Sequence, residues 1–283
     1  MPGLNYGAVN KYWHNARPSI LGPYVMDGFG FPAVAGCFRF QAETRIAQQL
    51  IRGLNPAGTV LDLGSGIGFW TKHFAQRFAK VVAVEASTPL YEALVQRCAE
   101  YSNVEAVQGD AVSFEPEDSI ELVFLGGLLM YLNENDAILL LRKLVGSLAP
   151  CGVILCRETT VRRSDITREG DYQAIYRSVA SYTRIFNKCG LSVVEAKRNT
   201  PYVLIQMGCE FVKKWKSVIP VSLQMIPVVG CTVYWGLRIG YPWIIHVPRV
   251  LGLAYPELTN HFFLLRPDAV VPPRGNETGS AAS

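Results

Sequence analysis

Between residues 59 and 158, short runs of Val, Ile and Leu alternate with longer stretches whose apolar residues recur every three or four positions. TVLDL (59–63), KVVAVE (80–85), VEAVQ (104–108), IELVFL (120–125) and GVILCRE (152–158) have the length and composition of strands. FWTKHFAQRFA (69–79), TPLYEALVQRCAEY (88–101) and NDAILLLRKLVGSL (135–148) have the spacing of helices. Near-continuous apolar strands that alternate with amphipathic helices predict a parallel α/β sheet covered on both faces. ETRIAQQLIRGL (43–54) predicts a helix ahead of the first strand. YQAIYRSVASYTRIFNKCG (172–190) predicts another, stopped at Gly190, and LSVVEAK (191–197) a sixth strand.

After Asn199 the alternation stops, and it resumes only in NHFFLLR (260–266), which predicts a final strand. SVIPVSLQMIPVVGCTVYWGL (217–237) has no charged residue in 21 positions, long enough to cross a bilayer but interrupted by Pro220 and Pro227. Lys213, Lys214 and Lys216 surround Trp215 just before it; Arg238, Tyr241, Trp243, His246 and Arg249 follow it. The tail VVPPRGNETGSAAS has the composition of a disordered segment.

Composition narrows the classes. With 283 residues, 49% of them hydrophobic, the chain has material for one large core. A net charge of +4 lacks the basic excess usual in nucleic-acid binders. Seven cysteines, an odd number without CxxC spacing, argue against a disulfide framework or a cysteine zinc site and for a reducing compartment. MPGLNYGAVNKYWHN lacks the apolar core of a secretory signal. Together these lead us to expect a cytoplasmic protein, with peripheral membrane contact as an alternative.

The chemistry begins at the end of the first predicted strand, where Asp62 is followed by Gly64, Gly66 and Gly68. Glycines at alternate positions let a ligand lie against bare backbone at the carboxyl end of a strand. A dinucleotide fingerprint would require glycine at position 69 or 71, which hold Phe69 and Thr71. No Gly-Lys-Ser/Thr follows, so a Walker A loop is excluded as well.

The D-x-G-x-G-x-G loop resembles the first motif of class I S-adenosylmethionine-dependent methyltransferases. Three further features agree in order: Glu85 ending the second strand, Asp110 after the third, and LAPCGVIL before the fifth, with Cys151 where the family has a glycine. The resemblance covers roughly residues 41–195. It implies a Rossmann-like, seven-stranded doubly wound sheet with S-adenosylmethionine as cofactor. Glu85 would pair the two ribose hydroxyls, a task suited to a carboxylate that accepts two hydrogen bonds. Asp110 would contact the adenine, and Gly64 and Gly66 the methionine part, with Asp62 orienting the loop or the amino group. Ser65, Ala86, Ala111 and Leu125 complete the implied cofactor set. Arg39 is a candidate for the cofactor carboxylate, because a guanidinium grips a carboxylate at two points.

The segment LGGLLMYL lacks the motifs of amino-methylating nucleic-acid enzymes, the Pro-Cys nucleophile of cytosine C5 enzymes and the aspartates of catechol-type magnesium sites. Candidate catalytic groups are therefore taken from predicted loops and helix faces: His14, since a free imidazole titrates near neutral pH, Tyr131, Glu158, and Tyr172 and Tyr176, four apart on one predicted helix face. Each has a structural alternative: an aromatic arm for the first, packing tyrosines, and a surface pair of Arg157 with Glu158. No metal site is expected.

These readings divide the chain into an aromatic arm (1–40), a cofactor-binding core (41–198), an apolar insertion (199–258) serving as substrate lid, membrane contact or dimer contact, a last strand (259–269) and a tail (270–283). The expected reaction is methyl transfer to a small, apolar or lipid-like acceptor, with no nucleic-acid partner. Protein N-methylation and a non-catalytic cofactor-binding scaffold are the alternatives.

Overall fold

The computed structural model describes residues 3–16, 29–117, 119–220, 224 and 227–268. The expected tail and residues 17–28 of the arm lie outside the described residues. Five strands form the parallel half of the sheet: β1 (Thr59–Leu63), β2 (Lys80–Glu85), β3 (Val104–Gln108), β4 (Ile120–Leu125) and β5 (Leu148–Val161), in spatial order β3-β2-β1-β4-β5. Two helices precede β1: α1 (Tyr6–His14) and α2 (Ala33–Leu50). The crossovers are α3 (Phe69–Ala75), α4 (Thr88–Cys98) and α5 (Glu134–Gly146). They cover both faces because β1 alternates: Leu61 and Leu63 join a core with Leu140, Leu141 and Leu144 of α5, while Val60 joins one with Ala47 of α2 and Trp70 and Phe74 of α3. The α/β class expected from the alternation is the one found.

The far edge has more strands than expected. β5 continues to Val161, and β9 (Leu258–Pro267) lies antiparallel along it from Ile154 onward. β8 (Leu191–Arg198) pairs antiparallel with β9. Beyond the end of β4, Thr160 and Val161 also pair with β7 (Ala174–Ser178), which forms a hairpin with β6 (Ile166–Arg168). Among the described residues the sheet thus has nine strands where seven were expected. The helix expected over 172–190 begins only at Val179 as α6 (Val179–Lys188), where Ser178 accepts the Ser181 N–H as its cap. The five residues before it, with Ala174, Tyr176 and Arg177 buried, extend the sheet instead. Gly190, at φ 70°, follows α6 as expected.

The LAPCG departure has a structural reading. A Cβ at Gly152 would sit 2.5 Å from the Ile120 carbonyl oxygen, so this glycine is needed for β4 and β5 to approach. Cys151 is exposed, and a side chain there meets no obstacle.

The insertion is helical. α7 (Thr200–Val218) starts at Asn199, whose side chain accepts the Tyr202 N–H, and buries Val203, Leu204, Ile205, Met207 and Val212. Then come α8 (Pro227–Gly240), a 3-10 turn (Ile244–His246) and α9 (Val247–Val250). The uncharged stretch 217–237 is therefore split between two helices, and among the described residues no helix is long and apolar enough to cross a membrane.

Candidate active site

The carboxyl ends of β1 to β4 open into a cavity of about 1050 Å³. The loop after β1 forms its floor. Gly64, Gly66 and Gly68 have φ of 69°, 57° and 80°, a region that favours glycine. A Cβ at Gly66 would meet nothing within 4 Å, so the loop presents bare backbone to open space. Glu85 fixes it from β2: its carboxylate accepts the Gly66 N–H at 2.8 Å and the Ser87 N–H at 2.9 Å. Burial raises its pKa, and those N–H donors oppose the rise. Asp62, 1% exposed, accepts from the Thr71 hydroxyl at 2.6 Å. Burial pushes its carboxyl up to about 7, against the Thr71 hydrogen bond, with Glu85 adding to the rise. Asp110 uses one carboxylate oxygen to accept from Val112 N–H and Ser113 N–H, holding the turn after β3.

Bare backbone flanked by buried carboxylates on β1 and β2 and by the exposed carboxylate of Asp110 after β3 fits S-adenosylmethionine: closely approachable peptide for the methionine part, acceptors for ribose and adenine. Asp62, Gly64, Ser65, Gly66, Glu85, Ala86, Asp110 and Ala111 all line this half of the cavity. Leu125, expected among them, does not; it is fully buried in the core between β4 and α5. Its side chain falls on the inner face of β4, while its neighbours Phe124 and Gly126 to Leu128 line the cavity.

Helix α1 roofs the same half. The Ser87 hydroxyl donates to the Trp13 carbonyl at 2.8 Å, and Leu4 N–H donates to the Asn133 side chain at 2.8 Å. Tyr6 bonds Asp136 and accepts the Asn133 N–H. His14 lines the cavity at the end of this roof, its Nδ1 3.0 Å from the Asn10 carbonyl.

The other half lies beyond Leu128. Tyr131, Tyr172 and Tyr176 converge there: the Tyr131 and Tyr172 hydroxyls are 2.9 Å apart, and Tyr176 donates to Tyr172 at 3.4 Å. Tyr12 and Trp13 pack edge-on against Tyr172 and Tyr131. Burial raises the Tyr131 and Tyr172 pKa well above the ordinary 10, so both remain neutral hydroxyls at neutral pH. The pair expected on a helix face is thus brought together by the β7 hairpin instead, and it lines the cavity.

Glu158 does not line it. Its carboxylate is fully buried behind the chamber, accepting the Leu129 N–H at 3.0 Å and the Tyr182 hydroxyl at 3.3 Å. Arg177 donates to the carbonyls of Leu129 and Leu132 at 2.7 and 2.6 Å. The two side chains together hold the 3-10 turn Leu129–Tyr131 that presents Met130 and Tyr131 to the cavity. Burial pushes the Glu158 carboxyl up to about 7, opposed by Leu129 N–H, Arg157 and Arg177. Glu158 thus holds the turn and does not itself reach the cavity. Neither the catalytic placement expected for Glu158 nor its alternative, a surface pair with Arg157, is found, since Glu158 is buried behind the chamber and consecutive strand residues face opposite ways.

Arg157 instead meets Glu43, which is fully buried on α2 and accepts from Arg157 Nε at 2.8 Å, Arg39 Nε at 2.7 Å and Asn199 Nδ2 at 2.7 Å. One carboxylate holds two guanidinium groups, both of which line the cavity. Arg39 also stacks over Tyr202, 4.7 Å from its ring centre. Glu43, Tyr202, Met130, Arg168 and Phe29 join the site although no motif marks them. For Glu43 the available signal is its i, i+4 spacing from Arg39. For Tyr202 it is the stripe Tyr202, Ile205, Gln206, Cys209, Lys213, one face of α7 and all cavity-lining.

A sequence-family model described as a methyltransferase domain matches residues 60–152. Phosphoethanolamine N-methyltransferase 1 of Arabidopsis thaliana is 28% identical over 155 residues, 54% of this chain and 31% of that protein. A ribosomal RNA small subunit methyltransferase A of Dehalococcoides mccartyi is 24% identical over 56% of each chain. The chain spans about a third of the length of the first of these relatives. In fold, it is similar to an S-adenosylmethionine-dependent methyltransferase of Leishmania major (TM-score 0.62, 17% identity, 92% of this chain and 82% of that one). It is also similar to coclaurine N-methyltransferase bound to N-methylheliamine and S-adenosylhomocysteine (TM-score 0.58, 15% identity, 92% and 85%). Over residues 60–152, about a third of the chain, the sequence matches a methyltransferase domain, and the fold as a whole is similar to that of S-adenosylmethionine-dependent methyltransferases.

Proposed function

We propose that the chain transfers a methyl group from S-adenosylmethionine to a small, apolar or lipid-like acceptor bound in the tyrosine-lined half of the cavity. The observation that carries this reading is the continuity of one cavity: the loop fitted to the cofactor and the chamber of Tyr131, Tyr172, Tyr176 and Tyr202 share it. When bound, the cofactor supplies an electrophilic methyl carbon on sulfur. Transfer then depends on placing a nucleophile in line with that carbon and excluding water.

The residues divide that work. Gly64 to Gly66, Glu85, Asp110 and Arg39 hold the donor. Helix α1, tied down through Ser87 and Asn133, covers it. Tyr131, kept in place by Glu158 and Arg177 through the turn at Leu129, is positioned at the junction of the two halves. As a neutral hydroxyl it orients an acceptor atom by hydrogen bonding rather than as a phenolate base. His14, at the end of the roof, brings an imidazole to the cavity, the side chain best suited to removing a proton near neutral pH. Relatives named for phosphoethanolamine and coclaurine N-methylation support a small-molecule acceptor over a macromolecular one. Protein N-methylation is disfavoured, because the chamber wall carries Arg157, Arg168 and Lys213 rather than an acidic groove for a cationic terminus. The lipid-like reading includes peripheral contact with a membrane through the helical insertion.

Calorimetry with S-adenosylhomocysteine, followed by transfer of a labelled methyl group into fractionated lipid, metabolite and protein pools, tests the proposal. Binding with label in lipid or small-metabolite fractions supports it; absence of binding refutes it, and label confined to protein moves the acceptor to the alternative.

A further inference from the structure

From Phe211 to Pro256 the sequence contains five Lys or Arg and no Asp or Glu, in a chain whose net charge is only +4. The same stretch holds ten of the fifteen large apolar side chains that are exposed among the described residues, including Ile239 at 84%, Val250 at 83% and Trp243 at 79%. Helix α8 shows the cause. Its buried side, with Gly230 and Tyr234, packs toward Phe31 and α7. Its opposite side, Val228, Thr232, Trp235 and Ile239, is spaced as one helical stripe and faces outward. A helix apolar on both sides, with Arg238 as its one charge, is covered on only one of them. Basic residues combined with exposed Trp and aliphatic side chains, on helices too short or too polar to span, are the chemistry of an element lying in the plane of an anionic bilayer surface.

Helix α7 joins this face to the cavity. Its lining stripe ends at Lys213, which is exposed at the cavity rim with its ammonium 5.7 Å from the centre of the Phe29 ring. Lys214, Trp215 and Lys216 follow directly. The rim and the basic-aromatic cluster are consecutive turns of one helix. We infer that the α7–α9 face docks on a membrane rich in anionic lipid, and that the acceptor enters the chamber from that surface past Lys213. The inference rests on the lipid-like acceptor proposed above.

The test uses the full chain and vesicles of phosphatidylcholine with and without phosphatidylglycerol. Co-sedimentation is expected with the anionic vesicles, weakening as salt is raised because exposed charges are screened. Reversing charge in Lys214→Glu with Lys216→Glu is expected to lower partitioning at least about tenfold. Ile239→Ser with Trp243→Ser, both exposed, is expected to lower it comparably. S-adenosylhomocysteine affinity, measured on the same samples, is expected to stay at the parent value in both variants. The inference is overturned if the parent does not bind, or if both variants bind as the parent does. It is likewise overturned if sedimentation velocity shows a dimer that Ile239→Ser with Trp243→Ser dissociates, since a second copy then covers the face. Failure of vesicle binding with cofactor binding intact removes the docking face and leaves the methyltransferase reading standing; loss of cofactor binding in the parent does the reverse.

Discussion

At the scale of single residues, two buried carboxylates act in opposite senses. Glu85 is anchored by the N–H groups of Gly66 and Ser87 on the rim of the donor site. Glu85→Ala removes a charged acceptor and leaves those two donors without it, a loss of about 2–3 kcal/mol in cofactor binding, or roughly 30- to 150-fold in Kd. Calorimetry with S-adenosylhomocysteine checks this, and unchanged affinity would count against the ribose role. Glu158 lies behind the acceptor chamber, protonated up to about pH 7 where an ordinary glutamate releases its proton at 4.5. Between those values the native state holds more protons than the unfolded chain, so stability falls as pH rises across that window and levels off above it. Asp62, raised from 3.8 to about 7, adds a decline of the same sign. The Glu158 share is bounded at about 3 kcal/mol, since each tenfold change in proton affinity is worth about 1.4 kcal/mol. Glu158→Gln, neutral at every pH, is expected to flatten the fall of Tm between about pH 5 and 7.5; an unaltered slope would place its source elsewhere. The placement of Glu85 at the cavity is legible in the sequence because it ends an apolar strand. Glu158 also ends an apolar run, yet it faces away from the cavity. Side-chain direction on β5 is decided by its register against β4 and β9, and no local pattern records that.

At the scale of elements, the strand–helix alternation is readable wherever the apolar runs are long, and it fails at Ala174–Ser178. There Tyr172 and Tyr176, four apart, fit a helix face as well as they fit a hairpin, and pairing with Thr160 and Val161 decides between them. That pairing exists because β5 outruns β4, a tertiary fact invisible in a window of ten residues. The outcome matters for chemistry: the hairpin brings the Tyr172 hydroxyl against Tyr131. Tyr172→Phe is therefore expected to lower kcat by about 10-fold or more through lost orientation, with S-adenosylhomocysteine affinity unchanged; an equal loss in cofactor affinity would show that the hairpin shapes the donor half instead. The Glu43 brace spans three elements, since it joins α2, β5 and the start of α7 through Arg39, Arg157 and Asn199. Removing one partner of a buried ionic cluster leaves uncompensated charge, at a cost of about 3–5 kcal/mol. Glu43→Ala is expected to lower Tm strongly, and Glu43→Gln less, because an amide still accepts from one guanidinium. Equal melting of Glu43→Ala and the parent would mean that the two arginines are solvated rather than braced.

At the scale of the whole molecule, the cavity joins parts of the chain that are distant in sequence: α1 from the arm, the loops after β1 to β4, the β7 hairpin and α7 of the insertion. A ligand in the donor half touches several of these at once, so its binding free energy is added to the stability of the assembled fold. For one site that gain is RT ln(1 + [L]/Kd), about 2.7 kcal/mol at a hundredfold excess over Kd. In a domain of this size each kcal/mol moves Tm by about 2–4 °C, so saturating S-adenosylhomocysteine is expected to raise Tm by roughly 5–10 °C. The arm should carry part of that shift. Its α1 helix is held over the cavity by Ser87 to Trp13 and by Tyr6 and Leu4 to Asn133, and Leu4 and Val9 pack on Ile175 beside Tyr131, contacts at the cavity rim rather than in the core of the sheet. Removing residues 1–15, which uncovers the small cluster of Leu4, Val9 and Ile175, is therefore expected to lower the Tm of the ligand-free protein modestly while shrinking the ligand-induced rise. If the truncated protein melts with the full ligand-induced shift, α1 is a packing arm and not a roof over the donor. If it melts much lower without ligand, α1 is part of the core and its contribution to binding has to be measured instead with Trp13→Ala.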